Sequence, residues 1–270
     1  MIATLAAAVL LVQAAQNPSP MVEHTRAHGR VTQQEVSGER VNLTLGTLLR
    51  SPSRKTAPLV VHFNGARWLA EVSARRWRRD CAVLAVHLGA GSSVYSRAFT
   101  DPARFAQLIE EAGGARYRPI VLTAFSAGYG AIREILRNRD NWRLIDAVVL
   151  ADGLHVSYVP EGKPGPIDAP GLEPFIAWAG EAAAGRKRFV MTHSEIFPGT
   201  FASTTETADA LLDAVGLRRR PVLKWGPLGM QHTSSAERGR LLVLGFAGNA
   251  APDHVDHFHA LERWLRLAAR

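Results

Sequence analysis

The chain has one cysteine in 270 residues, so no intrachain disulfide can form and no thiolate metal cluster can be assembled. That residue, Cys81, opens the apolar stretch "CAVLAVHL", where a small, inert core side chain fits. Long apolar runs are scarce as well. The N-terminal stretch "MIATLAAAVLLVQAAQNPSP" is apolar over residues 5–12, short of the roughly 20 residues that a spanning helix needs. Small residues at Ala14 and Ala15 and a polar, proline-containing exit give it the form of a secretory signal, although no Lys or Arg precedes the apolar part. The reading predicts a signal over 1–15, a polar lead-in over 16–38, export to the periplasm or beyond, and no membrane span once the signal is removed.

Acidic residues are outnumbered, 24 against 32 Lys and Arg, for a net charge of +8. The basic clusters "ARRWRRD" and "LRRRP" come with no groove-reading motif, so they read as a solvated face and exclude a nucleic-acid partner. No internal repeat is present.

What the sequence does have is a regular alternation of short apolar strands and amphipathic helices. "RVNLTLGTLL" alternates Val41, Leu43 and Leu45 as one period-two strand. "LVVHFNGA", "AVLAVHL", "RPIVLTAF", "IDAVVLAD", "KRFVMTH" and "GRLLVLGFAG" follow as buried strands. Helices are predicted at "AEVSARRW", "PARFAQLIEEAG", "GYGAIREILRN", residues 175–184, "TTETADALLDAVG" and the terminal "DHVDHFHALERWLRLAAR", the last beginning at Asp253. "GAGSSVYSRAFTDP" and residues 153–174 read as irregular. Such alternation implies one α/β domain over 39–270, a mostly parallel central sheet with helices on both faces. Its chemistry belongs just beyond the carboxyl ends of the strands.

At one such end stands "AFSAG". Ser126 lies between a strand and a helix, with Ala124 and Gly128 two residues to either side. A sharp strand-to-helix turn forces its central residue into strained backbone geometry and tolerates only small neighbours. It lifts the hydroxyl above the sheet and turns the next amide, that of Ala127, toward the same space. This resembles the nucleophile elbow of the α/β-hydrolase superfamily, G-x-S-x-G, with Ala124 in place of the first glycine. "HFNGA" after the strand "LVVHF" is similar to the superfamily's oxyanion segment. The resemblance implies backbone donors at Ala66 or Arg67 together with Ala127, with His62 bracing the loop.

The superfamily's chain order is Ser, acid, His, with the histidine after the last strand. His254, His257 and His259 stand there. Helical periodicity puts His254 on the inward stripe, His257 beside it and His259 outside, so His254 is the first choice of base and His257 the second. The acid is Asp152, which ends an apolar strand, or Glu195, which follows the strand that superfamily precedent favours; the burial cost of an unpartnered carboxylate inclines the choice to Asp152. His62, Asn64, His155, Tyr158 and His193 follow strands and are candidate pocket residues, with 153–174 as a lid-like insertion. Phe175 and "GAGSSVYSRAF" are further candidates for its walls. His62, His155, His193 and His254 define no metal geometry; a zinc site among them, and so a zinc hydrolase, is the minor alternative, and no metal or cofactor is expected.

The resemblance implies an exported serine hydrolase that cleaves a carboxylic ester through an acyl-enzyme. An amidase or peptidase with the same triad, and a non-catalytic binding protein on the same fold, are the alternatives.

Overall fold

The computed structural model describes residues 29–270; the signal over 1–15 and most of the lead-in fall outside the described residues. Among these, ten strands form a single sheet. They are β1 (Arg40–Leu43), β2 (Gly46–Leu49), β3 (Ala57–Phe63), β4 (Ala82–Val86), β5 (Tyr117–Phe125), β6 (Ala147–Ala151), β7 (Arg188–His193), β8 (Arg220–Trp225), β9 (Gln231–Arg238) and β10 (Leu241–Phe246). Their order across the sheet is β1-β2-β4-β3-β5-β6-β7-β10-β9-β8.

The six central strands, β4 to β10 in that order, run parallel. Their residues are almost all buried, as a sheet covered on both faces requires. Two apolar clusters mark the two faces. One holds Phe63, Phe105, Ile132 and Trp178; the other holds Val60, Leu69, Phe258 and Trp264.

Among the described residues eight α-helices supply the cover: α1 (Arg67–Trp77), α2 (Ser92–Ala98), α3 (Arg104–Ala112), α4 (Tyr129–Arg137), α5 (Ala169–Ala183), α6 (Thr204–Ala214), α7 (Ala251–His259) and α8 (Leu261–Ala268). No helix among the described residues is long and apolar enough to cross a membrane.

Several elements differ from the sequence expectation. "RVNLTLGTLL" is the hairpin β1–β2 rather than one strand, pairing Leu43 with Gly46. Gly46 is required there, since a Cβ would lie 2.4 Å from the Ala85 carbonyl oxygen of β4. The segment after β4, expected to be irregular, contains α2, held by the buried Tyr95, whose hydroxyl donates to Asn64 Oδ1 at 3.0 Å. Helix α5 starts at Ala169, earlier than expected, because Pro170 sits in its first turn, where a missing N–H costs nothing. The hairpin β8–β9 has no counterpart in the sequence expectation: its first strand is largely exposed and rich in charge, so no apolar pattern announces it. The terminal helix starts at Ala251 and breaks at Ala260. Asp253 is at its third position, its carboxylate accepting the Ala250 N–H at 2.9 Å.

Candidate active site

Strands β5, β6, β7 and β10 are consecutive in the sheet and parallel. The residues that follow their carboxyl ends therefore share one rim. Ser126 follows β5, Asp152 follows β6, Ser194 follows β7, and His254 stands on α7 beyond β10.

Ser126 has φ +49°, the left-handed region that a non-glycine residue occupies only where its surroundings impose it. Those surroundings are backbone. A Cβ on Gly128 would lie 2.1 Å from the Phe63 carbonyl oxygen, and one on Gly153 would lie 2.4 Å from the Ser126 carbonyl oxygen. The turn is thus seated against the end of β3 on one side and the residue after Asp152 on the other. Asp152 also has positive φ, +43°, which aspartate tolerates better than most residues.

Asp152 is 1% exposed, and both its oxygens are saturated. Oδ1 accepts from the Ser194 N–H at 2.8 Å and the Thr204 hydroxyl at 2.7 Å. Oδ2 accepts from the Ser194 hydroxyl and from His254 Nδ1, each at 2.7 Å. Burial alone would push this carboxyl up. The charges and hydrogen bonds of His257, His254 and Ser194 outweigh it, and the group is held well below the usual carboxylate range. An ionised carboxylate only accepts, so Nδ1 of His254 carries its proton toward Asp152, which leaves Nε2 free to accept one. Arg30 fixes this helix, its Nε meeting Asp256 at 2.6 Å and its Nη2 donating to the Pro252 carbonyl at 2.7 Å. The His254 ring rests on Phe125, centroids 4.5 Å apart.

Ser126, Asp152 and His254 line one cavity of about 900 Å³, together with His155, Ser194, Ile196, Phe201 and Thr204. A second cavity of about 810 Å³, between β8–β9 and α8, holds none of the candidate residues.

The remaining candidates lie elsewhere. His257 is 1% exposed, and its Nδ1 meets the Thr192 hydroxyl at 2.7 Å. Three residues along the helix turn it toward the sheet, so it anchors α7 to β7 and does not reach the cavity. Glu195 is exposed, makes no bond to a histidine, and takes the Gly248 N–H at 3.5 Å. His259 is half-buried against Trp68 rather than exposed.

His62 is not a pocket residue. Its Nε2 donates to the Asn64 carbonyl and its Nδ1 accepts from the Thr123 hydroxyl, both at 2.8 Å, and it stacks on Phe258. Burial pulls it down to about 4. Asn64, with φ +70°, commits its side chain to the Phe125 carbonyl and the Tyr95 hydroxyl and so ties the loop after β3 to the residue before Ser126. Tyr158 is buried with its hydroxyl on Glu206 at 2.9 Å, and Phe175 lies in the core. His193 is buried with Nδ1 on Thr205 at 2.8 Å, and burial likewise pulls it down to about 4. Of the five pocket candidates His155 alone lines the cavity. Among the described residues no group of three or more His, Cys, Asp or Glu is arranged to hold a metal ion.

The amides of Ala66 and Arg67 open α1 and precede any intrahelical acceptor; that of Ala127 follows Ser126. Sequence reasoning misses Ser194, Thr204 and the cavity-lining segment 196–201. Thr204 reads in sequence only as a helix start, and nothing in the spacing advertises a hydroxyl turned toward Asp152.

No family model matches the chain, and no curated protein matches its sequence. Solved structures do match. An enterochelin esterase from Shigella flexneri superposes with a TM-score of 0.51 at 13% identity, over 86% of this chain and 58% of that one. The chain has the α/β-hydrolase fold. A cold-adapted esterase from an Arctic intertidal metagenomic library (TM-score 0.48, 12% identity, 86% and 93% of the two chains) also matches. So does an alpha/beta hydrolase superfamily protein from Enterococcus faecalis (TM-score 0.47, 12% identity, 85% and 99%). At these identities the likeness bears on fold, and the site must speak for the chemistry.

Proposed function

We propose that this α/β-hydrolase-fold protein is an exported serine hydrolase that cleaves a carboxylic ester, with Ser126 as nucleophile, His254 as base and Asp152 as acid. The observation that carries the reading is the His254–Asp152 hydrogen bond of 2.7 Å in the cavity that Ser126 also lines. Export rests on the form of the N-terminal stretch.

In the first half-reaction Nε2 of His254 takes the Ser126 hydroxyl proton as Oγ attacks the ester carbonyl. The oxyanion forms against the Ala127 amide and an amide of Ala66 or Arg67, where each donor is worth about 10² to 10³ in rate. The imidazolium is stabilised by Asp152 and returns the proton to the departing alkoxide, leaving the acyl-enzyme. Water, deprotonated by the same imidazole, then releases the acid and restores Ser126.

A fluorophosphonate probe tests this. The wild type is expected to be labelled covalently and to hydrolyse p-nitrophenyl acetate, and Ser126→Ala to lose both. A wild-type protein that neither labels nor turns over esters refutes the proposal and leaves a binding protein on a hydrolase fold.

A further inference from the structure

Between Ser194 and Thr204 the chain makes a nine-residue excursion over the rim, residues 195–203, and both flanking residues bond to Asp152. The excursion is tied down a third time, near its end. The Ala202 N–H donates to the Val156 carbonyl at 2.9 Å, and the Ala202 carbonyl accepts from His155 Nδ1 at 2.8 Å. On this fixed backbone stands a large apolar side chain that remains partly exposed, Phe201 at 40%. It lines the cavity that holds Ser126. Phe201 packs edge-on to His155 with centroids 4.9 Å apart and an interplanar angle of 82°, so its ring is already held in place.

The charge of the cavity is as informative as its shape. The protein carries a net +8, yet among the described residues no lysine, arginine or glutamate lines this cavity. Its one acid, Asp152, has both oxygens occupied by protein donors. His155 is pushed down by burial, which favours the neutral ring. Among the described residues no charged side chain here would offset the cost of stripping water from a charged substrate group, whereas a flat apolar group would cover exposed ring surface on a preset wall.

We infer that the substrate is an uncharged ester bearing an apolar, ring-sized group, and that Phe201, braced by His155, is the residue that selects it. The inference rests on the serine hydrolase reading. Ser194 and Thr204 are positioning residues in this scheme, joining the wall that meets the substrate to the acid that orients the base.

The test is initial-rate hydrolysis of ethyl acetate, methyl benzoate, benzyl acetate and the anion monoethyl succinate, followed by pH-stat on the wild type and Phe201→Ala. The wild type is expected to favour at least one ring ester over ethyl acetate by about tenfold or more in kcat/KM and to turn over monoethyl succinate at least tenfold more slowly than that ester. Phe201→Ala is expected to erase the ring preference, lowering kcat/KM for the favoured ring ester about tenfold more than for ethyl acetate, with circular dichroism as the folding check. A labelled enzyme whose ring preference is absent or survives Phe201→Ala overturns this inference alone. An unlabelled wild type overturns the hydrolase reading, and this inference falls with it.

Discussion

Exchanging Asp152 for asparagine should disable the base without disturbing the cavity, and the hydrogen bonds around the carboxylate say why. The asparagine side chain would have one oxygen and one NH2 to place against four donors. The Ser194 N–H is backbone and can only donate, so the amide oxygen must take the Oδ1 position. The NH2 then faces the Ser194 hydroxyl, which can rotate to accept, and Nδ1 of His254, which must give up its proton to accept. The imidazole is thereby fixed in the tautomer with its proton on Nε2, the one that cannot take a proton from Ser126. In a serine protease the same exchange costs about 10⁴ in kcat, and a loss of that order is expected here. KM should move little, because Asp152 is buried beneath His254 and has no oxygen left for a substrate. The comparison is Glu195→Gln, which removes an exposed carboxylate with no bond to a histidine and should stay within threefold of wild type. Kinetics on p-nitrophenyl acetate with circular dichroism as a folding check decide the matter. Retention of a tenth or more of wild-type kcat by a folded Asp152→Asn protein would refute the assignment, the more so if Glu195→Gln collapsed instead.

Two predictions concern the fold beneath the site. Gly153→Ala places a Cβ 2.4 Å from the Ser126 carbonyl oxygen and 2.8 Å from its nitrogen, both rigid backbone. It should cost roughly 1–3 kcal/mol by urea denaturation and slow fluorophosphonate labelling, while Gly180→Ala, with nothing within 4 Å, should do neither. The second is a pH dependence. His62 and His193 are pulled by burial from 6.5 to about 4, so between those values the unfolded chain binds protons that the folded one refuses. Their stabilisation is complete above pH 6.5 and is lost as pH falls to 4, at up to roughly 3 kcal/mol for each ring. Asp152, held below the ordinary carboxylate range, adds its loss only at lower pH. A urea midpoint unchanged from pH 7.5 to 4.5 would contradict this.

The parts of this molecule that could be read from sequence are those where burial leaves a pattern. The six parallel strands announce themselves because a strand covered on both faces must be apolar throughout, and Ala124 and Gly128 mark the turn at Ser126 because backbone packs against it. The hairpin β8–β9 is hidden for the converse reason. Leu223 is 79% and Trp225 52% exposed on either side of Lys224, so no period-two alternation of buried and exposed residues survives there. The choice between Asp152 and Glu195 turns on something no residue type declares, the direction of each side chain at its strand end. At Asp152 a φ of +43° and the glycine that follows bring the carboxylate under His254 and between Ser194 and Thr204. Glu195, two residues beyond β7, is instead exposed, and it is its neighbour Ser194 that bonds to the Asp152 carboxylate. The burial argument from sequence points to the carboxylate that needs partners; it cannot name them, because hydroxyls that satisfy a buried acid look in sequence like those that cap a helix. Thr204 follows the capping Ser203 at the start of α6 and donates to Asp152, so two neighbouring hydroxyls of like sequence context do different work, and only their partners tell them apart.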